Sequence, residues 1–265
     1  MLIERESNIP TSIHPTAVIH KSAFLGSNVH VGPYSVISNN VIIGDDCKIG
    51  NHVTLSSNTE LGSGCTIYHC SSIGEVPQDL KFGGEKTKTL IGSNTTIREY
   101  VTVNRGTEAS GETKIGSGCL LMATTHVAHD CVLGDNVIMS NLSTLGGHVE
   151  IGDWVVLGGG VLVHQFTKIG THSFIGGGFR VVQDVPPFII AADQPLVFKG
   201  INSIGLKRRG FKSEDRKLIK NIYKIYFNSG TNRSEAVDKI SSDIKRSEIK
   251  DKIINFIKSS DRGII

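Results

Sequence analysis

An aliphatic side chain returns at every sixth residue over most of this chain. Stepping from Ile13 gives Ile19, Leu25, Val31, Ile37, Ile43, Ile49, Leu55, Leu61, Ile67 and Ile73. The same frame resumes at Ile91 and runs through Ile97, Val103, Ile115, Leu121, Val127, Leu133, Met139, Leu145, Ile151, Leu157, Val163, Ile169, Ile175 and Val181. Only Asp79, Glu85 and Ala109 break it. Four residues after each aliphatic comes a small or β-branched one, as at Ala17, Ala23, Val29, Val41, Val53, Thr59 and Thr113. Neither the 3.6-residue helical period nor strand alternation produces this pattern. One short strand and one turn per hexad does. Three hexads then close one coil of a three-sided parallel β-helix, with an aliphatic pointing inward from each face. Glycine often follows the aliphatic, as at Gly44, Gly50, Gly62, Gly116, Gly134, Gly152 and Gly170, and a turn that must bend without a Cβ is expected there. From Ile13 to about Ile190 the repeat makes roughly ten coils, a prism ~50 Å long at about 4.8 Å per strand.

Two segments leave the frame and read as loops extruded from the rod: 74–90 (GEVPQDLKFGGEKTKTL) and, smaller, 104–113 (NRGTEASGET). Loops on a rigid scaffold are where binding groups commonly sit. From about Gln194 the pattern becomes helical. Ser213 with Glu214 and Asp215 marks a helix start and Gly230 a stop, and 234–245 and 247–258 read as two further amphipathic helices. The predicted organisation is a β-helix over 1–192 and a C-terminal helical domain over 193–265 that caps the exposed end of the rod.

Composition narrows the class. Thirty Gly against seven Pro, with only 6% aromatic residues, suits thin repetitive layers better than an aromatic-filled globular core. The five cysteines contain no CxxC pair. Cys47, Cys65, Cys119 and Cys131 share the small inward phase while Cys70 stands alone, so buried thiols are expected. A net charge of +3 excludes a global polyelectrolyte. The basic stretch from Lys199 to Lys224 has only Phe211 and Tyr223 among its cations, not the repeated interleaved aromatics of a nucleic-acid platform. No apolar run reaches the roughly 18 residues of a membrane span. The opening MLIERESNIP carries charges where a signal peptide is apolar. A cytoplasmic protein with no integral membrane segment is expected.

Stacking arithmetic gathers the histidines. Residues 18 apart lie one above another, so His129 stacks with Gly147 and Gln165, and Asp130 with His148; His126 and His164 fall beside these columns. Imidazole takes a proton from a hydroxyl near neutral pH. A neighbouring carboxylate such as Asp130 can orient it, provided that the chain bends at the corner so that adjacent side chains meet. The unobstructed N–H of Gly147 is placed to receive the charge of a tetrahedral intermediate. Acyl transfer fits this set.

The hexads resemble the left-handed hexapeptide-repeat acyltransferase superfamily, which implies the left hand and completes the predicted fold class: mainly β, a left-handed parallel β-helix with a C-terminal α-helical domain. The strings IGEVPQDLKF (73–82), NRGT (104–107), HVAHDC (126–131), GGHV (146–149), VHQF (163–166), QDVPPF (183–188) and GLKRRGF (205–211) resemble one member family, the UDP-N-acetylglucosamine O-acyltransferases of lipid A synthesis. The likeness extends over essentially the whole chain. It implies that a 3-hydroxyacyl chain passes from acyl carrier protein to the sugar 3-hydroxyl, with no cofactor, no metal and no covalent acyl-enzyme. His129 becomes the general base, Asp130 its support and Gly147 N–H the oxyanion donor. The same resemblance assigns Gln78, Asp79, Lys81, His126, His148, His164 and Arg209 to substrate binding, and puts Gln165, Asn202 and Arg208 near the nucleotide, where guanidinium suits a diphosphate. Gly177 falls at the position that sets acyl length, leaving room for a long chain. A homotrimer, and docking of the acidic carrier protein on the stretch from Lys199 to Lys224, are likewise implied by the resemblance.

Asn104 stands where some members have His, and Ile204 where others have an acidic residue, departures that bear on sugar and base recognition and not on the catalytic assignment; a 3-amino sugar nucleotide also stays open as the acceptor, since an amine could attack from the same place. Rival readings are a coenzyme A-dependent acetyltransferase, a later N-acyltransferase of the same pathway, a zinc hydratase needing three converging imidazoles, and a silent binding solenoid.

Overall fold

The computed structural model describes residues 11–228, 230 and 232–265; the opening ten residues, considered above for a leader, lie outside the described part. Each hexad contributes a two-residue strand and a turn, as in Val36–Ile37, Ile42–Ile43 and Lys48–Ile49. The strands gather into three sheets of 11, 9 and 8 strands, called here the first, second and third faces in the order in which each coil visits them. Neighbouring coils pair in parallel at the expected offset, with Val36 opposite Thr54 and Ile37 opposite Leu55. Across the two breaks the partners become Ile73 with Val103 and Val103 with Val127. The breaks therefore insert whole hexads, two and then one, which is why the frame resumes in phase.

The inward aliphatics from Val31 to Val181 are buried, as are the second inward positions Val29, Val41, Cys47, Val53, Thr59 and Cys65. Cys119 and Cys131 are buried too; Cys70 is half-buried, and all five thiols are free.

The corners differ from the sequence expectation. The left-handed residue is the third after the aliphatic, not the glycine directly after it: Asn28 (φ 55°), Asn40 (57°), Asp130 (60°) and Asn136 (57°). Asn and Asp tolerate that region. Bulkier residues occupy it as well, and they stack on the coil above: Tyr34 on His52, and Trp154 on His172. The glycine after the aliphatic answers a different need. A Cβ on Gly116 would lie 2.4 Å from the Gly134 carbonyl oxygen, and one on Gly134 only 2.2 Å from Asp153 Oδ1. Contact between coils, not turn conformation, requires glycine there.

Strands Ile189–Ala192 and Val197–Ile201 form an antiparallel hairpin that finishes the first face, so the boundary expected after residue 192 runs through a hairpin and the helices begin later. An unpredicted short helix, α1 (Ser203–Arg208), precedes α2 (Ser213–Asn228), α3 (Arg233–Asp243) and α4 (Glu248–Lys258). Their starts follow capping chemistry: Asn232 and Glu235 form a reciprocal capping box, and Ser247 accepts from Lys250 N–H. The helices bury Ile219, Ile222, Tyr223, Ile240 and Ile253. Tyr223 donates its hydroxyl to Pro187 O at 2.6 Å, and Lys168 Nζ donates to Ser259 O at 3.1 Å. These bonds pin the helical layer to the last coils.

Gly116→Ala is expected to destabilise the rod by about 1–3 kcal/mol, while Asn136→Gly, at a left-handed corner, costs a few tenths at most. Thermal unfolding of the two variants checks the assignment, which fails if the order reverses.

Candidate active site

One edge of the prism, between the second and third faces, gathers the chemistry. Both loops leave from it, with narrower limits than expected. The first is 76–87, between strands Ser72–Glu75 and Lys88–Ile91, and the second is 105–111, between Thr102–Asn104 and Glu112–Ile115. The residues expected to flank them as loop are strand. The turns that carry His129, His148 and His164 to Phe166 occupy the same edge in successive coils.

At its centre is Asp130, whose left-handed backbone supplies the bend that a His–Asp pair of chain neighbours requires. His129 Nδ1 lies 2.7 Å from Asp130 Oδ2. Thr107 donates its N–H to Oδ1 at 2.9 Å and its hydroxyl to Oδ2 at 2.7 Å, and the Ser110 hydroxyl also donates to Oδ1. The Asp130 side chain has no solvent exposure. Burial by itself raises its pKa, but the hydrogen bonds from Ser110, His129 and Thr107 outweigh burial and hold the carboxyl down to about 2. An ionised carboxylate only accepts, so His129 carries its proton on Nδ1 and presents the lone pair on Nε2.

The His129 ring packs against glycine in the next coil. A Cβ on Gly147 would come 2.7 Å from His129 Nε2 and 2.6 Å from Cε1, so any side chain there would displace the ring. The Gly147 N–H is donated to none of the described residues. His148 completes the cluster with Nε2 3.6 Å from Asp130 Oδ2 and its ring edge-on to His129 at 5.1 Å, stacked on Phe166 at 4.4 Å. His126 projects from the flat second face, not from the edge, and bonds the Thr102 hydroxyl at 2.7 Å. Burial, then repulsion from any positive charge on nearby His129, lowers its pKa. His164 and Gln165 lie exposed on the edge, with His164 Nδ1 on the Gln165 carbonyl at 3.1 Å.

The other expected residues are spread more widely. Gln78 and Lys81 are exposed on the first loop; Asp79 is half-buried, its Oδ1 taking the Lys81 N–H at 3.0 Å. Asn202, Arg208 and Arg209 belong to a different edge, between the third and first faces. There Asn202 caps α1 and donates to His172 O at 2.9 Å. Arg209 lies over the Trp154 ring at 5.1 Å, and Arg208 is exposed. Burial, then the positive charges of Arg209 and Lys252, presses His172 down to about 4, so it is neutral at pH 7. Gly177 occupies the third edge, where a Cβ would meet Gly159 O at 3.0 Å. Ile204, the other departure from the family pattern, is 69% exposed.

The reading of individual residues missed Thr107 and Ser110. Their loop lies outside the sixfold frame, so stacking arithmetic cannot reach it, although the string NRGT does contain Thr107. Trp154 and His172 were also missed; their spacing of 18 was the available signal.

His129, Asp130 and His148 bring three ligand-type atoms within 4.8 Å of one another. As a metal site they fit poorly: there are two imidazoles and one carboxylate, and that carboxylate's oxygens already accept four hydrogen bonds.

Because the folded pKa of Asp130 lies below the unfolded value of about 3.9, its contribution to stability is present above about pH 4 and is lost as pH falls toward 2. Denaturant unfolding of the protein and of Asp130→Asn should therefore show a stability gap at pH 6 that narrows steadily below pH 4. A gap independent of pH would contradict the assigned ionisation.

Comparisons with known proteins follow the same lines. Residues 184–265 match the family model for domain 2 of UDP-N-acetylglucosamine O-acyltransferase, and residues 22–57 and 112–147 match that for bacterial transferase hexapeptide repeats. The acyl-[acyl-carrier-protein]--UDP-N-acetylglucosamine O-acyltransferase of Thiobacillus denitrificans is 46% identical over 255 residues, covering 96% of this chain and 99% of that protein. Its counterpart in Janthinobacterium is 48% identical over 258 residues, 96% of this chain and 98% of that one. Among solved structures, LpxA from Acinetobacter baumannii superposes with a TM-score of 0.92 at 41% identity, over 96% of this chain and 99% of that chain. LpxA from Bacteroides fragilis does so with 0.94 at 43%, over 95% and 99%. The coil has the left hand of these relatives. Fold, repeat and near full-length identity together make this chain a member of the UDP-N-acetylglucosamine O-acyltransferase family.

Proposed function

We propose that the protein transfers an (R)-3-hydroxyacyl group from acyl carrier protein to the 3-hydroxyl of UDP-N-acetylglucosamine, with His129 as general base. The observation that carries this reading is the fully engaged, ionised Asp130, which fixes the His129 tautomer and leaves Nε2 as a free base beside Gly147. Nε2 removes the proton as the sugar oxygen attacks the thioester carbonyl. The Gly147 N–H stabilises the oxyanion, and collapse expels the carrier thiolate, which takes the proton back from the imidazolium. Asp130 stabilises that imidazolium while it exists. No cofactor enters the sequence.

The separation of candidate residues between two edges supports a homotrimer. Asn202, Arg208 and Arg209 do not share an edge with His129, so one nucleotide can meet both groups only where two copies adjoin. Exposed Lys207, Lys212, Lys217, Lys220 and Lys224 on and around α1 and α2 supply the positive surface that would speed encounter with an acidic carrier. Gly177, exposed and without a side chain, leaves that edge open for a long acyl chain.

His129→Ala should lower kcat by about 10²–10⁴-fold with unfolding behaviour unchanged, and Gly147→Ala should lower it by displacing the ring. The test is turnover with a panel of acyl carrier protein thioesters and UDP-sugars, hydroxyl and amine acceptors included, read by mass spectrometry. Unaltered turnover by His129→Ala rejects the base. Co-expression of His129→Ala with Arg208→Ala should restore part of the activity that each variant lacks alone, because mixed trimers contain some intact sites; no recovery argues against a shared site.

A further inference from the structure

We infer that Asn104 is a positioning residue that couples the substrate-bearing loop 76–87 to the loop holding Asp130. The inference rests on the function proposed above for its kinetic part and on geometry alone for the rest. The two loops are stitched together at their roots. Asn104 Nδ2 donates to Val76 O at 2.9 Å, and Arg105 N donates to Glu75 O at 2.9 Å. At the other root Gly106 N donates to Lys88 O at 3.2 Å, and Lys88 N donates to Gly111 O at 3.0 Å. Both ends of the first loop are therefore held by the second loop, whose Thr107 and Ser110 hold Asp130 in turn.

Of these four links three are backbone to backbone, and only that of Asn104 comes from a side chain. It acts one residue before Pro77, which is buried, and two before Gln78, so it sets where the segment bearing Gln78, Asp79 and Lys81 leaves the rod. Asn104 is 4% exposed, and its Oδ1 is buried without a hydrogen-bond partner. Burying an unpaired amide oxygen is unfavourable, and tolerating it points to the N–H end as the end in use. Asn104 touches neither His129 nor Asp130 through any hydrogen bond of the described residues, so its loss should loosen the first loop while the base and its carboxylate stay in place.

The test is a pair of variants, Asn104→Ala and the near-isosteric Asn104→Asp, which sets a carboxylate oxygen against the Val76 carbonyl. Two readouts are needed: amide hydrogen exchange across 76–87, and steady-state kinetics with the UDP-sugar. The expected result is exchange at least about tenfold faster in that loop and KM for the sugar raised about tenfold, the scale of one lost hydrogen bond. The kcat and its pH profile should be kept. Thr107→Val serves as the contrast, changing kcat and the pH profile through Asp130. Unchanged exchange in the loop overturns the inference, and so does a kcat and pH response that copies Thr107→Val. If the protein shows no acyl transfer at all, the functional proposal fails while the exchange measurement still decides whether Asn104 holds the loop.

Discussion

The spacing between successive coils governs this molecule. Strands in neighbouring coils lie one hydrogen-bonded spacing apart, so whatever stands at one corner is in van der Waals contact with what stands eighteen residues away. The turn at each corner imposes one rule on the hexad, and that contact imposes another. The third residue after the aliphatic must enter the left-handed region, which Asn28, Asn40 and Asn136 do readily and Tyr34 and Trp154 do while stacked on a ring above. The residue directly after the aliphatic must often lack a side chain, because the next coil fills the space in which its Cβ would stand.

The edge that carries His129 and Asp130 uses both rules. Asp130 is at a left-handed corner, so its carboxylate turns back onto the ring of the residue before it and does not point to the opposite side of a strand. Gly147 is without a side chain one coil further on, so that ring can occupy the space in which a Cβ would stand. The carboxylate is then enclosed by the short loop that carries Thr107 and Ser110, and its hydrogen bonds overcome the cost of burying a charge. Loss of water from this carboxylate and retention of its charge are two effects of one enclosure.

The three edges carry different residues. His129 and Asp130 occupy the edge from which both loops emerge; Arg209, Trp154 and His172 share a second with the start of the helical domain; Gly177 is on the third. A rigid prism cannot bend to bring its edges together. A site that needs more than one of them has to be assembled from more than one copy, and the inserted loops are the parts of the rod able to reach outward toward a neighbour.

The fold was legible in the letters because a coil repeats its contacts: a side chain that must be inward at Ile37 must be inward at Ile43 and Ile49, and the period survives even the two insertions, each a whole number of hexads. The same arithmetic placed His129, Asp130, His148 and Gly147 side by side, and the resemblance of short strings suggested the roles proposed for them. Periodicity was silent wherever the repeat stops. The clamp of Thr107 and Ser110 on Asp130, the tie from Asn104 to Val76, the hairpin that precedes the helices and the separation of Asn202, Arg208 and Arg209 from His129 all depend on chain paths that no period describes. Even the glycines, correctly expected at the corners, had their reason settled by the coil above and not by their own turn, since a contact between distant residues exists only once the chain has closed on itself.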